Sequence, residues 1–144
     1  MTRALFTAIG LCAAILAAGC ETGQPEPTSL SERVEGGVAT SQRVETGIFT
    51  QLTHPDTKVV LATLEWTNGA PTARFTAGQK VREVTLNVSP TLTWANRAIA
   101  MMFARHGKPA DSPQAYGCFC DYAGGHGTFC CCDYGIVTIC SFSS

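Results

Sequence analysis

The chain has 144 residues, with ten Lys or Arg against eleven Asp or Glu, a formal net charge of −1 at pH 7. That is one domain's worth of chain, and its cations are scattered singly, so the electrostatic footprint of a nucleic-acid binder is missing. Eight cysteines, five of them between Cys118 and Cys132, make the redox compartment the first question.

The N-terminus bears on that question. MTRALFTAIGLCAAILAAGC has one positive charge, Arg3, then an uncharged apolar run over residues 4–18. A helix across a bilayer core takes about twenty apolar residues, so this run is too short to span. It has the proportions of a secretory signal, with small residues after it for cleavage. Leu16-Ala17-Ala18-Gly19-Cys20 resembles the lipobox of bacterial lipoproteins. The resemblance implies a signal peptide over 1–19, a lipid on Cys20 and a protein held to the bacterial cell envelope through that lipid. In that family the residue three before the cysteine is most often Leu, whereas here it is Ala17. Ala17-Ala18-Gly19 also fits ordinary signal cleavage, which leaves a secreted protein. The resemblance covers these twenty residues alone. Without Cys12 and a lipidated Cys20, six cysteines remain, an even number as a closed disulfide set requires.

Residues 20–31 are rich in Glu, Pro, Thr and Ser and predict a flexible tether, because they bury too little apolar surface to offset backbone ordering. The α+β domain is expected over 32–107. Arg33-Val34-Glu35-Gly36-Gly37 is echoed by Arg43-Val44-Glu45-Thr46-Gly47, two similar turn-flanked strand starts. From Val44 to Leu52 the alternation predicts a strand, broken by His54-Pro55-Asp56. KVVLATLEWT at 58–67 predicts another, and Asn68-Gly69 a tight hairpin into a return strand at 73–77. After Gly78-Gln79, VREVTLNV at 81–88 alternates with Val84, Leu86 and Val88 on one face. Ala95, Ala98, Ile99, Met102 and Phe103 form one stripe of a helix over 92–106. Thr91 or Thr93 is placed to cap its start, and Arg105 and His106 suit its negative end.

A polar linker at 108–115 leads into a Cys-rich module at 116–144. The module says Cys-x-Cys-Asp-Tyr twice, at 118–122 and 130–134. In an exported protein the first expectation is disulfides among Cys118, Cys120, Cys130, Cys131, Cys132 and Cys140. Adjacent cysteines rarely bond each other, so the triple at 130–132 should reach separate partners, though six cysteines allow fifteen pairings. The alternative is a Cu or Zn thiolate site built from Cys118, Cys120, Cys130 and Cys132 with His126, although structural zinc sites favour Cys-x₂₋₄-Cys spacing. A third reading takes Gly124-Gly125 as the leader–core junction that it resembles in bacterial modified peptides, with a Cys-rich peptide released after Gly125.

No nucleophile elbow, phosphate loop or His-Glu-x-x-His stands in the chain, so no catalytic residue is assigned and no cofactor is expected. The sum is a small antiparallel sheet with one amphipathic helix and a disulfide-linked C-terminal module. A binding or structural role is expected rather than an enzyme.

Overall fold

The computed structural model describes residues 25, 27–107, 117–122, 127–135 and 137–143. The signal at 1–19, Cys20, the linker at 108–115 and the trio Gly124, Gly125 and His126 lie outside the described residues. Among the described residues the elements run β1 (Ser29–Val34), β2 (Gly37–Val44), β3 (Gly47–Thr53), β4 (Val60–Thr67), β5 (Ala73–Ala77), β6 (Lys80–Leu86), α1 (Leu92–His106), β7 (Gly117–Tyr122), β8 (Thr128–Asp133) and β9 (Val137–Ser143). All nine strands belong to one sheet, in the order β1-β2-β3-β4-β5-β6-β9-β8-β7.

This sheet is larger than the small one expected, for two reasons. First, the Arg-Val-Glu echo marks strand ends, not starts. Each copy closes a two-residue turn, pairing Val34 with Gly37 and Val44 with Gly47. The run from Val44 to Leu52 is therefore split between two strands, and Ser29–Ser31, read as tether, lie in β1. Gly36 stands at φ 90°, a conformation that costs side-chain-bearing residues, and Gly47 lies where a Cβ would strike the Trp66 carbonyl. Second, the Cys-rich segment is not an appended module. Its strands continue the sheet, with β9 lying parallel to β6 through Glu83↔Val137 and Leu86↔Cys140. That pairing makes the sheet mixed rather than antiparallel. A parallel return needs a crossover, and α1 supplies it.

The sheet curls round α1, which packs against β1 to β5 and β8. Thr91 caps the helix, its hydroxyl accepting from the Trp94 N–H at 3.2 Å. Ala95, Ala98, Ile99 and Met102 are buried as their spacing predicts, but so are Asn96, Ala100 and Met101. A curled sheet covers more than one stripe of a helix, so the buried arc is wider than a flat sheet would give. Ala39, Leu52, Leu64, Phe75, Val84, Ile99, Met102, Phe129, Cys131 and Cys140 belong to a single core. At about 25 cal/mol per Å² of buried apolar surface, such a shared core joins the C-terminal strands to the rest more firmly than a linker would.

Candidate functional site

The doubled Cys-x-Cys-Asp-Tyr pairs with itself. β7 and β8 run antiparallel with Cys118 opposite Cys132 and Cys120 opposite Cys130, and both pairs are disulfides. Alternation turns Cys131 to the other face, where it bonds Cys140 of β9. Two bridges thus lie on the outer face of the sheet, while Cys131 and Cys140 are fully buried on the inner one. The four cysteines of the alternative thiolate site are the ones consumed by the outer pair of bridges. His126 lies outside the described residues, as does the proposed cut after Gly125.

The same repeat delivers two carboxylates to the inner face, next to two arginines on α1. Asp121 meets Arg97 at 3.3 Å in an exposed pair. Asp133, with its side chain only 6 % exposed, is the centre of a buried cluster. Its Oδ1 accepts from Thr138 Oγ1 at 2.6 Å, Arg82 Nη2 at 3.2 Å and His106 Nε2 at 3.2 Å, and its Oδ2 from Arg105 Nε at 3.4 Å. Arg82 also donates through Nε to Thr138 Oγ1 and through Nη2 to the Gly135 carbonyl. Burial is the largest influence on Asp133 and raises its pKa. The Thr138 hydrogen bond with the charges of His106 and Arg82 outweighs it, leaving the carboxyl below its usual 3.8. For His106 burial dominates and lowers the pKa from 6.5, with Asp133 opposing and the two arginines assisting. At neutral pH the ring is thus uncharged, with its Nε2–H directed at the carboxylate.

A second polar anchor lies on the opposite side of α1. Asn96 is fully buried. Its Nδ2 donates to the Leu30 carbonyl and to Glu32 Oε2, each at 3.2 Å, tying the helix to β1. Its Oδ1 accepts from Ser41 Oγ at 2.7 Å. Ser41 has one proton and spends it there, so its 2.7 Å bond with Thr50 Oγ1 is donated by Thr50.

Between the two anchors the sheet does not close among the described residues. Its edges are β1 and β7, and a groove of about 570 Å³ runs between them with α1 as its floor. Ala100, Met101 and Ala104 form the floor, with Glu32 and Val34 on one wall and Phe119 on the other. Ala100 and Ala104 are one helical turn apart, and their small side chains give the groove its depth. Arg105 lies over the Phe119 ring at 5.5 Å while holding Asp133, so the buried cluster also positions that wall. Trp94 joins the helix to the neighbouring strands, stacked on Phe129 with centroids 5.3 Å apart and tilted against Phe142 at 4.6 Å. The volume falls within the roughly 300–1,000 Å³ of ligand clefts.

No family model matches the chain, and no curated protein or solved structure is found to be similar to it. Among the histidines, His54 Nδ1 accepts the Asp56 and Thr57 backbone N–H groups and organises the turn between β3 and β4. Asn96, Asp133 and Arg82 are site-building residues that sequence reasoning does not single out. The signal that was present is the aspartate that follows the second cysteine of each Cys-x-Cys in the repeat.

Proposed function

We propose that the chain is an exported bacterial envelope lipoprotein, attached to the membrane through a lipid on Cys20, whose folded domain binds a partner rather than catalysing a reaction. The observation that carries export is the set of three disulfides, which takes up every cysteine after Cys20. Disulfides persist in oxidising compartments and are rare in a reducing cytosol. The sequence of residues 1–20 supports the same reading independently. With Cys20 lipidated and Cys12 removed, no unpaired thiol remains.

The groove supports binding over catalysis. Its floor is apolar, its walls are strand edges, and the buried histidine–carboxylate pair of the described residues, His106 with Asp133, sits among guanidiniums that hold the fold together. A lipid on Cys20, followed by residues 21–28 before β1, would present this domain at a membrane surface. Fractionation tests the anchor. The wild-type chain should pellet with membranes and partition into detergent, and Cys20→Ser should accumulate as an uncleaved precursor or as soluble protein. A Cys20→Ser chain that matures and partitions as wild type would rule out lipid anchoring.

A further inference from the structure

Among the described residues the groove is bounded by two strand edges with no further strand beside them, and its hydrogen-bonding pattern identifies what fits it. In an antiparallel pair, alternate residues direct both backbone groups to the partner and the rest direct both away. Along β1 the Arg43 N–H donates to the Thr28 carbonyl at 2.8 Å, which places Thr28, and by alternation Leu30, Glu32 and Val34, in the bonded set. Ser29, Ser31 and Arg33 therefore turn their N–H and C=O groups outward, away from β2.

The same reasoning applies to β7. The Asn87 N–H donates to the Cys140 carbonyl, so Cys140 directs its backbone to β6 and not to β8. Its opposite number, Cys131, then bonds toward β7, where it faces Phe119. By alternation Cys118, Cys120 and Tyr122 turn their backbone groups to the open edge. Each edge strand is six residues long. Unpaired strand edges are templates for another extended chain, and its backbone is the ligand that satisfies them in register.

We infer that the groove between β1 and β7 is a docking site for an extended peptide segment of a partner protein, added to the sheet as a further strand. Alternate side chains of that segment face inward onto Ala100, Met101 and Ala104, which calls for apolar residues at every second position. The intervening side chains face solvent and are polar. The two outer disulfides hold β7 in place, so one wall is preorganised and less ordering cost falls on binding. The inference rests on the reading of the domain as a binding module and not on its anchoring.

The test uses the disulfide-intact mature domain and a set of synthetic hexapeptides alternating Val, Leu or Phe with Thr or Lys. Amide hydrogen exchange is read residue by residue by NMR. The expected result is saturable binding by members of the set, with new protection at Ser29, Ser31 and Arg33, or at Cys118, Cys120 and Tyr122. Leu30, Glu32 and Val34 should be unchanged. Methylating the peptide's inward-bonding amides should weaken binding by about tenfold or more, since each lost hydrogen bond leaves an edge group unpaired. Ala104→Trp, which fills the groove from an exposed position, should abolish binding without lowering the unfolding midpoint. Binding without alternate-residue protection, or equal binding of the methylated peptide, would overturn the proposal. So would alternate protection that rises with protein concentration in the absence of peptide, which would assign the edges to a second copy of the chain. Palmitate bound at Met101 and Ala104 in place of any peptide would also overturn it, while leaving the binding module intact. Neither ligand binding would remove both readings.

Discussion

The carboxylate of Asp133 and the imidazole of His106 meet at 3.2 Å inside the fold, joining β8 to the last turn of α1. Arg82 from β6 and Arg105 from α1 approach the same carboxylate. One side chain thus joins the C-terminal strands, the meander and the helix. Asp133→Asn keeps the shape but removes the charge that two guanidiniums share. Breaking a buried pair from one side costs about 3–5 kcal/mol, and Arg105, 31 % exposed, recovers some solvation, so the loss should fall at the lower end. Urea unfolding at pH 7.5 measures it. Because Asp133 raises the His106 pKa against burial, the same variant should also move the ring's NMR titration to lower pH.

Acid should loosen this anchor in two stages. His106 has a folded pKa below its usual 6.5, so the unfolded chain binds the extra proton first. Stability therefore declines as pH falls from about 6.5 toward the lowered folded value. Asp133 is likewise depressed, so its contribution is present above about 3.8 and disappears as pH falls through its folded value. His106→Gln should remove the first stage and leave the second. The check is the urea midpoint between pH 7.5 and 3, compared for both chains.

The opposite wall depends on Asn96. Replacing it with Leu leaves Ser41 without its acceptor in the core and the Leu30 carbonyl without its side-chain donor. A buried group left unsatisfied costs about 1–3 kcal/mol. Because Thr50, Ser41 and Asn96 form one directional chain, Ser41→Ala combined with Asn96→Leu should cost less than the sum of the two. A double-mutant cycle in urea measures that coupling.

The disulfides should open in a fixed order. Cys118 and Cys120 are exposed, whereas Cys131 and Cys140 are fully buried. A mild dithiol followed by alkylation and peptide mapping should label Cys118, Cys120, Cys130 and Cys132 before Cys131 or Cys140. Removing the inner bridge as the Cys131→Ala, Cys140→Ala pair should cost roughly 2–4 kcal/mol.

Much of the meander and the helix was legible because each carries its period openly. β4, β5 and β6 lie where alternation and turn residues put them, with the loop after β4 widened past Asn68-Gly69 by Pro71. β1 was hidden because SLSERV alternates weakly and follows a proline-rich stretch. The hairpin at Glu45-Thr46 was hidden because Thr46 and Gly47 read as a continuation of the strand. The site was harder to read because its parts are far apart in sequence. Arg82 and Asp133 are 51 residues apart, and only the parallel pairing of β6 with β9 brings them together. Local pattern carries no trace of such a pairing. The repeat in the C-terminal segment, by contrast, was visible, and its antiparallel self-pairing accounts for two of the three bridges.

The most direct measurement is the intact mass of the protein extracted from membranes in detergent, before and after alkylation under non-reducing conditions. The expected species begins at Cys20, carries added acyl mass, is six hydrogens lighter than the reduced chain for its three disulfides, and takes up no alkylating agent. A mature chain that retains residues 1–19, or one whose six C-terminal cysteines alkylate freely, would contradict an exported, lipid-anchored and disulfide-closed protein.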